Sequence, residues 1–260
     1  MAGMRWPRYA RHDGVMSVRP PPGAEGRFRS VYYRGTSLVK GRHAVKREFS
    51  GWREGLFLYG PVILLGVGVC LAGALWGAAW AGVPVLLVGV AMMLFFRDFP
   101  RTITATGNEI VSPADGTVVA IEDLTETPHY DGPCRRVSVF MSVFSVHVNR
   151  APFDGTVREV RYAPGKYKDA RLPESSKVNE SNAVWMDTAR GPVTVRQISG
   201  AVARRIVCPV GPGAVLRRGE KYGMIRFGSR LETYLPPGTE IRVEIGRKVR
   251  AGTTVLGSFQ

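Results

Sequence analysis

Between Gly55 and Phe96 the chain runs for 42 residues without one charged side chain, and no other feature limits its fold so tightly. A single helix needs about 20 apolar residues to cross a bilayer, so the run is too long for one span and barely enough for two. Ala81-Gly82-Val83-Pro84 sits near its middle, where glycine and proline interrupt a helix. The expected element is a helical hairpin that crosses twice or dips into one leaflet; a buried helix pair of a soluble protein has the same composition. Both flanks are basic, with Lys46, Arg47 and Arg53 before the run and Arg97 and Arg101 after it. By the positive-inside rule both ends face the cytoplasm, which places the protein in the cell (inner) membrane with its remaining mass on the cytoplasmic side.

The formal net charge is +15. Residues 1–53 hold twelve Lys/Arg against three Asp/Glu. Such an excess draws a protein to something anionic, but no zinc-finger spacing, RNA-binding signature or helix-turn-helix pattern is present, so nucleic acid is not the expected partner. An acidic membrane surface fits the juxtamembrane arginines and lysines; a merely solvated basic surface accounts for them equally well. Residues 1–36, with Pro20-Pro21-Pro22-Gly23 and little periodicity, read as a disordered basic tail, and 37–54 as a basic juxtamembrane segment. Cys70, Cys134 and Cys208 are odd in number and lack metal or CxxC spacing, which argues against a disulfide framework.

After Arg101 the pattern changes to short β-branched or alternating runs divided by Gly, Pro and Asp. Thr117–Ile121, Arg136–Phe140, Val193–Ile198 and Glu240–Ile245 read as strands, and 97–260 as a mainly β domain of sandwich or barrel type, α+β overall once the hairpin is counted. Lys248–Gly257, set beside Ala114–Val118, is similar to the turns of lipoyl-type sandwiches. Leu172–Asn182 is polar and reads as a surface loop or short helix.

Gly228-Ser229 offers a serine nucleophile beside the one residue that leaves its carbonyl unshielded. By itself the pair more often marks a turn. If the hydroxyl attacks the Gly228 carbonyl, an N-to-O acyl shift, β-elimination and hydrolysis leave residue 229 as a pyruvoyl ketone, which captures amines and takes up electrons as pyridoxal phosphate does elsewhere. Asp115, between Pro113 and Gly116, reads first as a turn aspartate bonded to its own backbone. His147, in the apolar run Val143–Val148, reads first as a core histidine. Arg204 and Arg205 suit bidentate contacts to a phosphodiester, although paired arginines are usually a surface feature.

Three ordered stretches change these readings. Lys221–Leu231, Ser112-Pro113-Ala114-Asp115-Gly116 and Val146-His147-Val148-Asn149-Arg150-Ala151-Pro152 together resemble the phosphatidylserine decarboxylase proenzymes, from about residue 45 to the end. The resemblance implies self-cleavage at Gly228-Ser229 into a large chain and a small chain of 32 residues that stay associated, a pyruvoyl cofactor made from Ser229, and neither metal nor pyridoxal phosphate. It further implies that Asp115 is the base for cleavage and that His147 is the acid/base of decarboxylation, with phosphatidylserine as substrate and phosphatidylethanolamine and carbon dioxide as products. Some relatives carry a second histidine where this chain has Arg150, so no Ser-His-Asp relay is expected here and Asp115 is expected to act on Ser229 directly. A decarboxylase of an ether-lipid serine headgroup, a membrane-anchored β-sandwich without chemistry, and a homo-oligomeric state stay open. A soluble pyruvoyl amino-acid decarboxylase has no use for residues 55–96.

Overall fold

A computed structural model describes residues 11–12, 15–16, 49–201, 205–226 and 228–260. The expectations for the basic tail and most of the juxtamembrane segment therefore lie outside the described residues, as do Arg204 and Phe227. The chain divides into two units, residues 1–36 and 37–260. In the first, β1 (Arg11–His12) pairs with β2 (Val15–Met16); everything below concerns the second.

The uncharged run folds as a hairpin of unequal arms. Helix α1 (Gly51–Ala74) is long and apolar enough to cross a membrane, about 36 Å at 1.5 Å per residue. A 3-10 turn (Ala79–Gly82) leads into α2 (Val83–Phe95), which spans only about 20 Å. The break begins earlier than Ala81: α1 stops at Ala74 and Gly77 takes a positive φ of 69°. Pro84 is the second residue of α2, in the first turn, where proline's missing N–H and fixed φ suit a helix. Small residues hold the arms together. A methyl group on Gly66 would lie 2.8 Å from Leu86 Cγ, and one on Gly89 would lie 2.6 Å from Ile63 Cγ1. Such close approach substitutes for the hydrophobic drive that is missing where helices sit in lipid. Outward, the helices expose Leu64, Leu65, Leu71 and Leu87, and the turn between them exposes Trp76 and Trp80.

Beyond the hairpin the protein is mainly β. In chain order the strands are β3 (Glu109–Val111), β4 (Gly116–Leu124), β5 (Cys134–Met141), β6 (Val148–Arg150), β7 (Gly155–Ala163), β8 (Ser181–Thr188) and β9 (Gly191–Ile198). There follow β10 (Arg205–Val207), β11 (Val215–Leu216), β12 (Lys221–Arg226), β13 (Ser229–Leu235), β14 (Glu240–Ile241), β15 (Lys248–Val249) and β16 (Val255–Ser258). An eight-stranded antiparallel sheet has the order β11-β7-β8-β9-β13-β5-β4-β15, and two three-stranded sheets, β10-β12-β6 and β14-β16-β3, complete the fold. The core of Val137, Val139, Val193, Val195, Leu231 and Leu235 comes from alternate residues of the central strands, as the two-residue period of a strand requires. The two stretches likened to lipoyl-type turns pair directly, Lys248 with Thr117 and Val249 with Gly116. The three cysteines are free.

Two expectations need correction. Of Glu240–Ile245 only Glu240–Ile241 is strand, because the chain turns at Gly246 with φ 91°. Leu172–Asn182 does contain a short helix, α3 (Ser175–Val178), but Ser175, Ser176 and Asn179–Asn182 are buried, and Asn182 already belongs to β8. Their polarity serves internal hydrogen bonds, as polar groups inside a protein must.

Candidate active site

Ser229 opens β13, the strand held on one side by β5 and on the other by β9. It is fully buried, and its hydroxyl donates to the thioether of Met141, its cross-strand partner, at 3.4 Å. Gly228 precedes it with φ +49°, a conformation that L side chains rarely adopt, and the space where a side chain would point is open. Across from it lies Gly200. A methyl group there would overlap the Gly228 carbonyl oxygen, sit 3.0 Å from the carbonyl carbon, and come within 3.2 Å of Ala170 Cβ.

A chain of buried amides ends on the same thioether. Asn182 Nδ2 donates to Gln197 Oε1 (3.1 Å), Gln197 Nε2 to Asn149 Oδ1 (2.9 Å), and Asn149 Nδ2 to Met141 Sδ (3.8 Å). Asn149 belongs to the Val146–Pro152 motif, and its contact with Met141 places that motif next to Ser229.

His147 lies just ahead of β6, its carbonyl accepting the Ile225 N–H of β12 at 3.4 Å. The ring is fully buried and stacks on Phe95 of α2, centroids 4.2 Å apart. Neither ring nitrogen has a hydrogen-bond partner among the described residues. Burial pushes its pKa down to about 3, opposed by the Ser145 backbone and aided by the nearby Arg97 charge. At neutral pH the imidazole is uncharged, and burial makes it a weaker base than an exposed histidine.

Asp115 is not bonded to its own turn. Ser112 does that work, donating to the Ala114 carbonyl at 2.7 Å. The Asp115 carboxylate accepts the Ala251 N–H at 2.7 Å on Oδ1 and Arg101 Nη2 at 2.8 Å on Oδ2. It stands just before β4, with β5 between it and the start of β13, a lateral offset of about 10 Å at 4.8 Å per strand. Asp115 and Ser229 are therefore two strands apart, and Asp115 bonds Arg101 and Ala251 and not the Ser229 hydroxyl. A cleft of about 410 Å³ runs past Arg101, lined by Phe99, Pro100, Arg101, Val146, Arg250 and Thr253.

Arg150, where some relatives have a histidine, is buried and structural. It donates to the carbonyls of Gly219 (2.8 Å) and Phe99 (3.1 Å), which clamps the segment after α2 to the approach to β12. Arg205 is exposed on β10, directly opposite Arg226.

Sequence reasoning passed over two groups. Asp98 accepts the first N–H of α1, from Gly51, at 3.1 Å and pairs with Lys221 at 3.1 Å, so it ties the hairpin's base to β12. Glu232 is buried beneath Ser229's neighbour Arg230. It takes hydrogen bonds from Ser176 and Tyr234, both 2.6 Å, and an ion pair from Arg196 at 3.4 Å. Burial raises its pKa, but Arg196, Arg136 and the hydrogen bonds outweigh that and hold the carboxyl below its ordinary value. Its position in an alternating strand was the available signal: Arg230, Glu232 and Tyr234 share the face opposite Leu231 and Leu235. Among the described residues no cluster of three or more His, Cys, Asp or Glu side chains is arranged to hold a metal ion.

The chain is similar to curated proteins named phosphatidylserine decarboxylase proenzyme. The relative from Nitrosomonas eutropha is 44% identical over 210 residues, which is 80% of this chain and 94% of the relative. That from Ralstonia nicotianae is 47% identical over 208 residues, 80% and 94% of the two chains. That from Burkholderia pseudomallei is 48% identical over 185 residues, 71% and 84%. Residues 89–257, from α2 to the last strand, match the phosphatidylserine decarboxylase family as a whole. All three motifs fall within that match, and this chain belongs to the phosphatidylserine decarboxylase family.

Proposed function

We propose that the protein cuts itself between Gly228 and Ser229 and then decarboxylates phosphatidylserine to phosphatidylethanolamine and carbon dioxide at the inner membrane, with residues 97–260 on the cytoplasmic side. The observation that carries the reading is the seating of the Gly228 carbonyl against Gly200 with the buried Ser229 hydroxyl beside it. In the first step Ser229 Oγ bonds to the Gly228 carbonyl carbon, the amide nitrogen leaves, and the hydroxyl proton passes to a base, the role assigned to Asp115. Loss of the Ser229 α-proton and departure of the Gly228 carboxylate then give dehydroalanine. Water releases ammonia and leaves the ketone.

The site suits such a group: residue 229 is enclosed, strand-held and next to an open glycine, so a planar ketone replaces the serine without displacing a neighbour. When formed, the pyruvoyl group supplies a carbonyl that binds the substrate amine and takes up the electrons the carboxylate leaves behind. His147 handles the proton. It is the group assigned to deliver a proton to the serine α-carbon after carbon dioxide departs, from a ring with no hydrogen-bond partner among the described residues. The exposed apolar hairpin keeps this chemistry at the bilayer, where the substrate resides.

An intact-mass measurement tests the reading. Two chains are expected, the smaller spanning residues 229–260 and lighter than its serine form by one ammonia, with carbon dioxide released from phosphatidylserine vesicles. A chain that stays whole on long incubation and releases none would favour a membrane-anchored binding module.

A further inference from the structure

Arg205 and Arg226 occupy directly opposed positions on β10 and β12. Like charges set opposite one another in an antiparallel pair repel and destabilise it, so the pairing needs a compensating anion. One carboxylate is near. Glu54 of α1 accepts Arg226 Nη2 through Oε2 at 2.9 Å and through its carbonyl at 3.2 Å, and the same guanidinium lies over the Phe96 ring at 5.6 Å. Glu54 is thereby committed to Arg226. Among the described residues neither Arg205 nor Arg53 has an ion-pair partner, and both are exposed.

These side chains line one cavity of about 320 Å³, between the first turns of α1 and the β10–β12 pair, formed by Arg53, Glu54, Phe57, Leu58, Arg205 and Arg226. Three guanidinium groups against one carboxylate leave it with a surplus of two positive charges. Its outer wall is apolar: Phe57 and Leu58 are both exposed and mark the start of the membrane-length part of α1. Arg226 also stands three residues before Ser229, on the strand that runs into the cleavage turn.

We propose that this cavity binds the phosphodiester of the substrate phospholipid, with Arg53 and Arg205 as its donors, Arg226 held in place by Glu54, and the acyl chains lying along Phe57 and Leu58. Guanidinium groups offer the paired N–H donors that a phosphate oxygen pair accepts. The choice of substrate lipid rests on the decarboxylase reading above; the anion site rests on the opposed arginines.

The test titrates the full chain in detergent micelles with dihexanoyl phosphatidylserine, dihexanoyl phosphatidylglycerol and inorganic phosphate, comparing wild type with the double variant Arg53→Gln/Arg205→Gln. Both positions are exposed, so the fold is expected to survive, and Arg53→Lys/Arg205→Lys should restore part of the binding. The two lipids should bind about tenfold or more weakly to the glutamine variant, and KM for phosphatidylserine should rise by a similar factor while self-cleavage keeps its rate. Unchanged lipid binding and KM would overturn the site. Inorganic phosphate binding as tightly as the lipids, with the same loss, would overturn its assignment to lipid. If wild type releases no carbon dioxide the decarboxylase reading fails, while the titration still decides whether the lipid site exists.

Discussion

The α-carbon of Gly200 faces the carbonyl group of Gly228, with no room for a side chain between them. Self-cleavage needs that carbonyl to turn from planar to tetrahedral under attack by Ser229, and reacting atoms misplaced by about 1 Å lose roughly a hundredfold in rate. Gly200→Ala should therefore slow the appearance of the small chain by about two orders of magnitude. The variant's thermal unfolding should change far less, since the Gly228 turn is free to move outward. Cleavage at the wild-type rate, followed by gel or mass spectrometry, would remove Gly200 from the mechanism.

Asp115 presents a sharper choice. Its two oxygens are engaged by Arg101 and Ala251 and it lies two strands from Ser229, so it acts on the hydroxyl only if the Arg101 pair opens and the carboxylate moves toward β13. Asp115→Asn keeps an acceptor for the Ala251 N–H but loses the basic carboxylate. Cleavage should fall by about a hundredfold or more, the usual contribution of a positioned general base. Arg101→Gln, which releases the carboxylate, should still cleave. If the asparagine variant processes normally, Asp115 serves the fold alone and another group takes the Ser229 proton.

At the hairpin's base Asp98 is nearly inaccessible and receives both the Gly51 N–H and the Lys221 ammonium, with Arg150 4.0 Å away. Removing one member of such a buried pair leaves a charge with no counterion inside the protein, typically about 3 kcal/mol of lost stability. Asp98→Ala should show a loss of that size in urea unfolding of the detergent-solubilised protein. Asp98→Asn, which keeps the helix's acceptor, should lose less. Equal stability of both with wild type would show that the pair is replaced by solvent.

The hairpin and the strands around Val118, Val137 and Val195 could be read from the sequence because each is a local pattern: an uncharged run, or alternation with a period of two. The three motifs were legible as stretches, and the fold brings two of them together through Asn149, Met141 and Ser229. Contacts between distant residues were not legible. Gly200 looks like any turn glycine until Gly228, 28 residues on, is placed against it, and Asp98 looks like a flanking charge until Lys221 arrives. Glu232 and Ser176 bond to each other across 56 residues of chain, and Glu232 pairs with Arg196 of β9, neither of which a local pattern shows. The polar stretch 172–182 misled for the same reason, since burial of its side chains depends on β8 and β13 closing over them.

His147 gives the protein a pH signature. Its pKa falls from an ordinary 6.5 to about 3 in the folded state, chiefly through burial, and His129 is lowered to about 4 by burial and by Arg196. For a group whose folded pKa is depressed in this way, the unfolded chain binds the proton first as pH drops. Stability is then fully present above pH 6.5 and is lost as pH falls toward 3, where the folded form also titrates. From pH 6.5 to 4 His147 alone should remove about 3 kcal/mol. His147→Phe fills the same space against Phe95 without a titrating group, so its denaturation midpoints should depend less on pH across that window, with His129 accounting for the slope that persists. The same variant should still cut itself at Gly228-Ser229, because cleavage is assigned to Ser229 and Asp115, yet release no carbon dioxide. An uncut His147→Phe chain with wild-type stability would move the histidine into the cleavage step, and a pH profile that matches wild type would show that the buried ring does not titrate with unfolding.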